Sequence, residues 1–347
     1  MKKLLIALAV LVLLAGAGAG GAFLWWKNSL QTYAATPHGS GEEKVVEIPP
    51  GARMKDVARL LAQANVISDE VRFYWLAREL KKDRQIKAGE YAFHGALLPE
   101  KVLDDVASGH VKLYRCTIPE GLWMEEIAAL LEKCGYAPAD QLLKLARDPA
   151  FVSGLGVKNK TLEGYLFPDT YSFPKNPKPE AVLGRMVKNF KEAFQQASSR
   201  RKNGVTLDEH ETATLASIVE KETGVPEERP RISCVFHNRL KKNMKLETDP
   251  TVIYAKKIRL GTWDGNITRA DLLEPHEYNT YTRKGLPPGP IASAGAAAIQ
   301  AALNPLDCSD LFFVACGGGT HIFCPDYDCH LKKVEECQLG GKKRAQR

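Results

Sequence analysis

Several things are missing from this sequence of 347 residues, and each omission excludes a class of function. Charge of one sign is scarce: 48 Lys and Arg against 41 Asp and Glu leave a formal net charge of +7. No dense basic stripe runs through the body, so duplex nucleic acid is not an expected partner. The one concentrated basic stretch is the tail with Lys342, Lys343, Arg344 and Arg347, which reads as a solvated end. Only one long apolar run is present, so the chain is not a multi-span membrane protein. H-E-x-x-H and G-x-S-x-G are both absent, which argues against zincin and lipase-type chemistry. Cysteine is missing from the first hundred residues, so a lipid-modified cysteine anchor is not expected there.

The apolar run spans Leu4–Trp26 behind Lys2 and Lys3. At about 1.5 Å per residue it is long enough to cross a hydrocarbon core of ~30 Å. Trp25 and Trp26 stand where an interfacial aromatic belt would lie, and the paired lysines favour a cytoplasmic N-terminus. An uncleaved anchor is the expectation; a cleaved signal peptide, with its site among the small residues Ala15–Ala22, is the alternative. Gly16, Gly18 and Gly21 spell G-x-G-x-x-G, but no strand precedes them and no acidic ribose partner follows, so no dinucleotide site is expected. Gly16 and Gly20 also make a G-x-x-x-G pattern, which the small-residue composition of the run explains. A polar segment rich in Pro, Gly and Ser, Ser29–Glu43, reads as a tether.

An internal repeat follows. VVEIPPGARMKDVARLLAQANVI from Val45 is matched seventy residues later by YRCTIPEGLWMEEIAALLEKCGY. Ile48/Ile118, Pro49/Pro119, Gly51/Gly121, Met54/Met124, Ala58/Ala128, Leu60/Leu130 and Leu61/Leu131 are identical pairs. Each copy predicts a short strand, a Pro-x-Gly turn and an amphipathic helix. Asp69–Leu80 predicts a further helix and Gly89–Phe93 a returning strand. Two copies are too few for a solenoid. The unit resembles the LysM carbohydrate-binding module; a spacer or folding subdomain fits the same pattern.

Chemistry-bearing residues gather after Thr161. TLEGYLFPDTYSF sets Tyr165, Phe167, Tyr171 and Phe173 around Glu163 and Asp169. Aromatic faces beside carboxylates suit a sugar site, and they suit a half-buried hairpin equally. Thr206–Gly224 predicts a helix, with a T-x-x-E capping box at Thr206 and Glu209 and a C-cap at Gly224. Glu220 borders its apolar stripe, and Glu211 and Glu222 share the helix. A carboxylate on such a border loses hydration and gains pKa, as a general acid requires; periodicity alone would make it a solvated flank. Pro226–Met244 predicts the next helix, Tyr278–Gly289 a preorganised Pro/Gly loop, and Gly295–Leu303 an Ala-rich helix.

The blocks LEGYLFPDTY, LASIVEKET, VFHNRL, LETDPTVIYA, YNTYTRKGLPPGPIASAG and AALNP resemble the MltG/YceG-like endolytic murein transglycosylases, in order and from the anchor to about residue 334. The resemblance implies an α+β protein with one N-terminal transmembrane helix. It implies a LysM-like module at 45–110 and a second strand–turn–helix copy at 111–160, which connects to a catalytic domain at 161–337. The anchor would occupy 1–27, the linker 28–44 and the basic tail 338–347. The implied localisation is the inner membrane, with the N-terminus cytoplasmic and the catalytic domain periplasmic. Peptidoglycan glycan strands are the implied substrate, peptidoglycan synthases implied partners, and neither cofactor nor metal is called for; a non-catalytic peptidoglycan-binding membrane protein and a water-using muramidase are the alternatives. Carried onto this sequence, the catalytic residue of the IVEKET block is Glu220. Glu163, Tyr165, Asn238, Asp249, Asn279 and Tyr281 are the candidates for substrate positioning.

Eight cysteines remain. Cys116, Cys134 and Cys234 lie in the body, and Cys308, Cys316, Cys324, Cys329 and Cys337 cluster near the end beside His321 and His330. The family pattern has no such cluster, although it has His where His321 and His330 stand. Outside the cytoplasm disulfides are the first expectation, and the odd fifth member is then free or pairs with a distant cysteine. Reduced thiols, or a zinc site from His321, Cys324, Cys329 and His330, are the alternatives.

Overall fold

In a computed structural model of the chain, residues 2–262 and 265–339 are described; Lys342, Lys343, Arg344 and Arg347 of the basic tail lie outside them. Helices dominate and three two-stranded sheets complete an α+β architecture. The chain divides into two compact units, Met1–Tyr114 and Arg115–Arg347.

In the first unit, helix α1 runs Lys2–Ala35. Its stretch Leu8–Ala35 is long and apolar enough, by length and composition, to cross a membrane, and Leu11, Leu14, Phe23 and Leu24 are exposed along it. The helix does not stop at Lys27: it continues through the first part of the expected tether. The reason is burial. Leu30 and Tyr33, three residues apart on one helical face, are buried in the core of the unit. Strand β1 (Lys44–Ile48) pairs antiparallel with β2 (Gly89–Phe93), placing Val46 opposite Tyr91. Helices α2 (Met54–Gln63), α3 (Glu70–Glu79) and α4 (Pro99–Ser108) pack Val57, Leu61, Phe73, Leu103 and Val106 against that pair.

The second copy of the repeat opens the second unit, with strand β3 (Tyr114–Thr117) and helix α5 (Met124–Lys133). The copies agree in detail. Helices α2 and α5 start at Met54 and Met124 and bury the equivalent residues Val57/Ile127, Ala58/Ala128 and Leu61/Leu131. Gly51 and Gly121 take φ of 78° and 76°, left-handed turn positions that a side chain would strain. After α5 come α6 (Ala139–Ala146), α7 (Pro149–Gly154), β4 (Thr170–Phe173), which pairs with β3, and α8 (Pro179–Ser198).

Helix α9 (Glu209–Glu222) forms the centre of this unit. Every residue from Thr212 to Val219 is buried, the signature of a helix enclosed on all sides. It starts later than the sequence suggests. Asp208 caps it: its Oδ1 accepts the Glu211 N–H at 2.9 Å and Glu211 Oε2 accepts the Asp208 N–H at 2.9 Å. This D-x-x-E box has the same spacing as the expected Thr206/Glu209 pair and closes the helix instead of it. At the other end, Thr223 turns extended directly after Glu222, so Gly224 is not the cap. Around α9 pack α10 (Arg229–Lys241, after a 3-10 turn Pro226–Glu228), α11 (Asp249–Leu260) and α13 (Ala296–Leu303). The small helix α12 (Arg269–Leu273), the antiparallel pair β5 (Phe312–Ala315) and β6 (His321–Cys324), and α14 (Tyr327–Val334) complete the unit.

All eight cysteines pair: Cys116–Cys134, Cys234–Cys308, Cys316–Cys337 and Cys324–Cys329. The odd member of the late cluster, Cys308, thus reaches back to Cys234. Cys324 and Cys329, two of the four candidate zinc ligands, are bonded to each other, which removes their thiolates from metal binding. The Cys234–Cys308 bond spans 74 positions, and closing a loop of that length stabilises a fold by up to about 4 kcal/mol through the unfolded chain. Replacing both residues by Ser is expected to lower the urea midpoint of the oxidised protein by an amount worth about 2–4 kcal/mol, measured with the other three bonds intact.

Candidate active site

The last turn of α9 carries two glutamates into different surroundings. Glu220 points to an ion-paired polar cluster. Its Oε1 accepts from Arg229 Nη2 at 2.7 Å and its Oε2 from the Gly295 N–H at 2.9 Å. Arg229 Nη2 also reaches Glu120 Oε2 at 3.3 Å. The Glu120 carboxylate lies where a Cβ on residue 295 would stand, 1.8 Å from its Oε1, so a side chain there would displace Glu120 from Arg229. The Glu220 side chain is 5% exposed. Burial raises its pKa and the Gly295 N–H opposes this; Glu120 raises it further and Arg229 lowers it, with a net upward result.

Glu222 faces a cleft of about 420 Å³. The cleft is walled by the start of α11, the loop bearing Tyr281, the β5–β6 pair and α14, with Asp249, Arg239, Phe312 and His321 among its lining. Glu222 is half-buried. Its Oε1 accepts from the Thr248 hydroxyl, and its Oε2 has no partner among the described residues. Burial pushes its carboxyl up to about 7, the neighbouring Asp249 adding to the rise and Thr248, His321 and Arg239 opposing it. As the final helical residue it also meets the negative end of the α9 dipole, which disfavours a carboxylate.

Two of the family blocks are laced together to form this cleft. Thr280 Oγ1 accepts the Thr248 N–H at 3.1 Å and bonds Thr251 Oγ1 at 2.8 Å. Tyr281 donates its hydroxyl to Asp249 Oδ1 at 2.7 Å. Glu247, at φ 51°, holds a left-handed conformation beside Arg239, whose Nη1 lies 3.1 Å from its carboxylate. Strain of this kind persists where surrounding contacts fix it, and it concentrates at functional clefts.

A family model described as YceG-like matches residues 46–336. The chain belongs to the YceG-like family. It is 32% identical over 337 residues to an endolytic murein transglycosylase of Bacillus subtilis (strain 168), covering 91% of this chain and 90% of that protein. A protein of the same description from Streptococcus pneumoniae serotype 2 is 29% identical over 343 residues, covering 89% of this chain and 60% of the relative. The crystal structure of a YceG-like protein from Listeria monocytogenes superposes with a TM-score of 0.55 at 31% identity, covering 84% of this chain and 99% of that one.

The structure distributes the expected positioning residues unevenly. Asp249 and Tyr281 share the cleft with Glu222. Tyr165 is fully buried, its ring against Phe190 and its hydroxyl 2.9 Å from His210 Nδ1; a sugar cannot stack on it. Asn238 donates to the Cys308 and Asp310 carbonyls at 2.9 and 3.0 Å, pinning the chain that leads into β5. Asn279 is 1% exposed and donates to three carbonyls at the end of α12, the nearest being that of Glu274 at 2.8 Å. Both asparagines therefore organise backbone. Glu163 borders a separate cleft of about 890 Å³, but it is buried, accepting the Met124 N–H at the start of α5 at 3.1 Å and the Tyr254 hydroxyl at 3.2 Å. Nothing in the sequence singles out Arg229, Glu120 or Thr248. The T-D-P block and the EKE spacing are the available signals, and two glutamates two residues apart on a helix must face different sides.

Burial raises the Glu163 carboxyl to about 7 against an ordinary 4.5, with Lys257 opposing and Glu125 adding to the rise. Between these values the folded protein binds a proton that the unfolded chain has released, so this group favours folding below pH 4.5 and its contribution is lost as pH rises to about 7. Glu163→Gln is expected to flatten the fall in urea midpoint between pH 4.5 and 7 relative to the native protein, measured by denaturation at successive pH values.

Proposed function

We propose that this chain is a membrane-anchored endolytic murein transglycosylase. It cleaves the β-1,4 bond between N-acetylmuramic acid and N-acetylglucosamine inside glycan strands and leaves a 1,6-anhydro end, terminating strand growth near peptidoglycan synthases. Family membership supports the reaction class. The anchored topology, with the N-terminus in the cytoplasm and the chain beyond the apolar helix outside it, is supported by Lys2 and Lys3 ahead of that helix and by four disulfides, which suit an oxidising compartment.

In this reading the acid is Glu222 rather than Glu220. The single observation that carries the choice is access. Both oxygens of Glu220 are taken, by Arg229 and the Gly295 N–H, whereas Glu222 lines a cleft with one oxygen bonded by Thr248 and the other without a partner among the described residues. Its carboxyl near 7 keeps a large protonated fraction at neutral pH, the state that can protonate a glycosidic oxygen. The 6-hydroxyl of the muramic acid then attacks its own C1. Because that nucleophile is held in the same ring, the step gains the high effective concentration of an intramolecular reaction, and a separate water-activating carboxylate is unnecessary. Tyr281 orients Asp249 across the cleft. Glu220 takes a structural role, tying α9 directly to the Gly295 N–H and, through Arg229, to α10.

Asp249 supports a second reading. A retaining or inverting hydrolase uses a carboxylate pair, and Asp249 stands in the cleft with Glu222; a water-using muramidase would leave a reducing end instead.

The test is digestion of un-crosslinked glycan strands by the detergent-solubilised full chain, with mass spectrometry of the products. Internal fragments ending in 1,6-anhydro-muramic acid are expected from the native protein, with none from Glu222→Gln. Glu220→Gln is expected to keep activity while losing thermal stability. Reducing ends would select the muramidase, and an inactive, folded Glu220→Gln beside an active Glu222→Gln would return the acid to Glu220. Activity is also expected to fall as pH rises above about 7, as Glu222 loses its proton.

A further inference from the structure

The cleft also carries a histidine to which the mechanism above gives no role. His321 is the first residue of β6, and its ring is fixed edge-on against Phe313, with centroids 5.4 Å apart. Glu228, in the 3-10 turn between α9 and α10, grips it twice: Oε1 accepts the His321 N–H at 2.8 Å, and Oε2 lies 2.7 Å from Nδ1. The Thr223 hydroxyl donates to the same Oε2 at 3.2 Å. Burial alone would raise the Glu228 carboxyl, but the His321 and Thr223 donors hold it below the ordinary value, so it is an ionised acceptor. An acceptor at Nδ1 assigns the ring proton to that nitrogen and leaves the Nε2 lone pair available. Nε2 has no partner among the described residues, and the ring lines the cleft shared with Glu222.

A carboxylate that fixes the tautomer of an imidazole whose other nitrogen faces a reaction cleft is the arrangement by which enzymes build a general base. From it we infer that His321, oriented by Glu228, is the base that removes the proton of the attacking 6-hydroxyl, while Glu222 serves as the acid. This rests on the transglycosylase reading of the cleft.

The step balances. Glu222 gives its proton to the glycosidic oxygen as the C1–O bond breaks. The O6–C1 bond forms, and the O6 proton passes to Nε2, giving an imidazolium beside the Glu228 carboxylate. That proton returns through water to the Glu222 carboxylate, and no co-reactant is consumed. Asp249 is the less available acceptor, because the Tyr281 hydroxyl occupies its Oδ1. Glu228 bonds His321 from the turn, and Glu222 from α9, Arg239 from α10, Glu247, Asp249 and His330 line the same cleft. Glu228 thereby acts as a positioning residue.

Asparagine at 321 keeps an N–H that can donate to Glu228 and removes the base. In the full chain acting on un-crosslinked glycan strands, His321→Asn is expected to lower kcat by about 10²-fold or more, with KM and melting temperature unchanged. Added imidazole is expected to restore part of the activity of His321→Ala, which a purely structural role would not allow, and Glu228→Gln is expected to give a smaller loss in kcat. An unchanged kcat in His321→Asn overturns the inference, as does a loss in folded His321→Ala that imidazole leaves untouched; if His321→Ala does not fold, His321→Asn decides alone. The two readings fail separately. A native protein that produces no anhydro ends defeats the transglycosylase assignment. An active native protein with an inactive Glu222→Gln and a fully active His321→Asn defeats only the role of His321.

Discussion

The enclosure of α9 on every side is the constraint on which the second unit depends. A helix buried from Thr212 to Val219 must satisfy its polar side chains internally. Thr212 donates to the Asp208 carbonyl at 2.6 Å, Thr214 to that of His210 at 2.8 Å and Ser217 to that of Thr214 at 2.8 Å. Ser217 Oγ also accepts the Ile291 N–H at 3.0 Å, so the central helix holds the segment that leads from the Pro/Gly loop to Gly295. With its body fixed in this way, α9 reaches polar surroundings only at its capped start and in its last turn. There Glu220 and Glu222 separate, one into an ion-paired cluster and the other into a cleft.

The cleft is assembled from segments far apart in the chain, each held by a specific contact. Thr280 ties the start of α11 to the loop bearing Tyr281. Glu228 ties β6 to the turn after α9. Two disulfides, Cys316–Cys337 and Cys324–Cys329, staple the β5–β6 pair to the segment around α14. The cysteine cluster therefore builds one wall of the cleft. Fixed walls suit general acid–base chemistry, where small displacements are costly.

Much of this is legible in the sequence, and the reasons differ by element. The repeat is readable because seven identical pairs fix two turns and two helix faces, and both copies fold as strand, turn and helix. The Ala-rich helix and the Pro/Gly loop are readable from composition. The N-terminal helix runs further than its apolar stretch suggests, because Leu30 and Tyr33 gain their burial from residues distant in sequence. The start of α9 is ambiguous in the sequence because Thr206/Glu209 and Asp208/Glu211 share one capping spacing, and only packing selects between them. At the site, the resemblance locates the EKE block and assigns the catalytic role to Glu220, whereas the geometry favours Glu222, because which glutamate turns towards the cleft depends on packing. Tyr165, Asn238 and Asn279 look like ligand contacts because polar and aromatic side chains in a shared block serve backbone organisation and recognition alike. The cysteine pairing needs distances that a sequence does not contain.

Everything in the chemistry turns on Glu222, in the cleft, being the group poised to give a proton near neutral pH. Its carboxyl titration is the most direct check, followed by carbon-13 NMR of glutamate-labelled full-length protein in detergent and assigned with Glu222→Gln. A midpoint at about pH 7 is predicted for the resonance that disappears in the variant. A midpoint near the ordinary 4.5 would contradict the assignment of Glu222 as the acid.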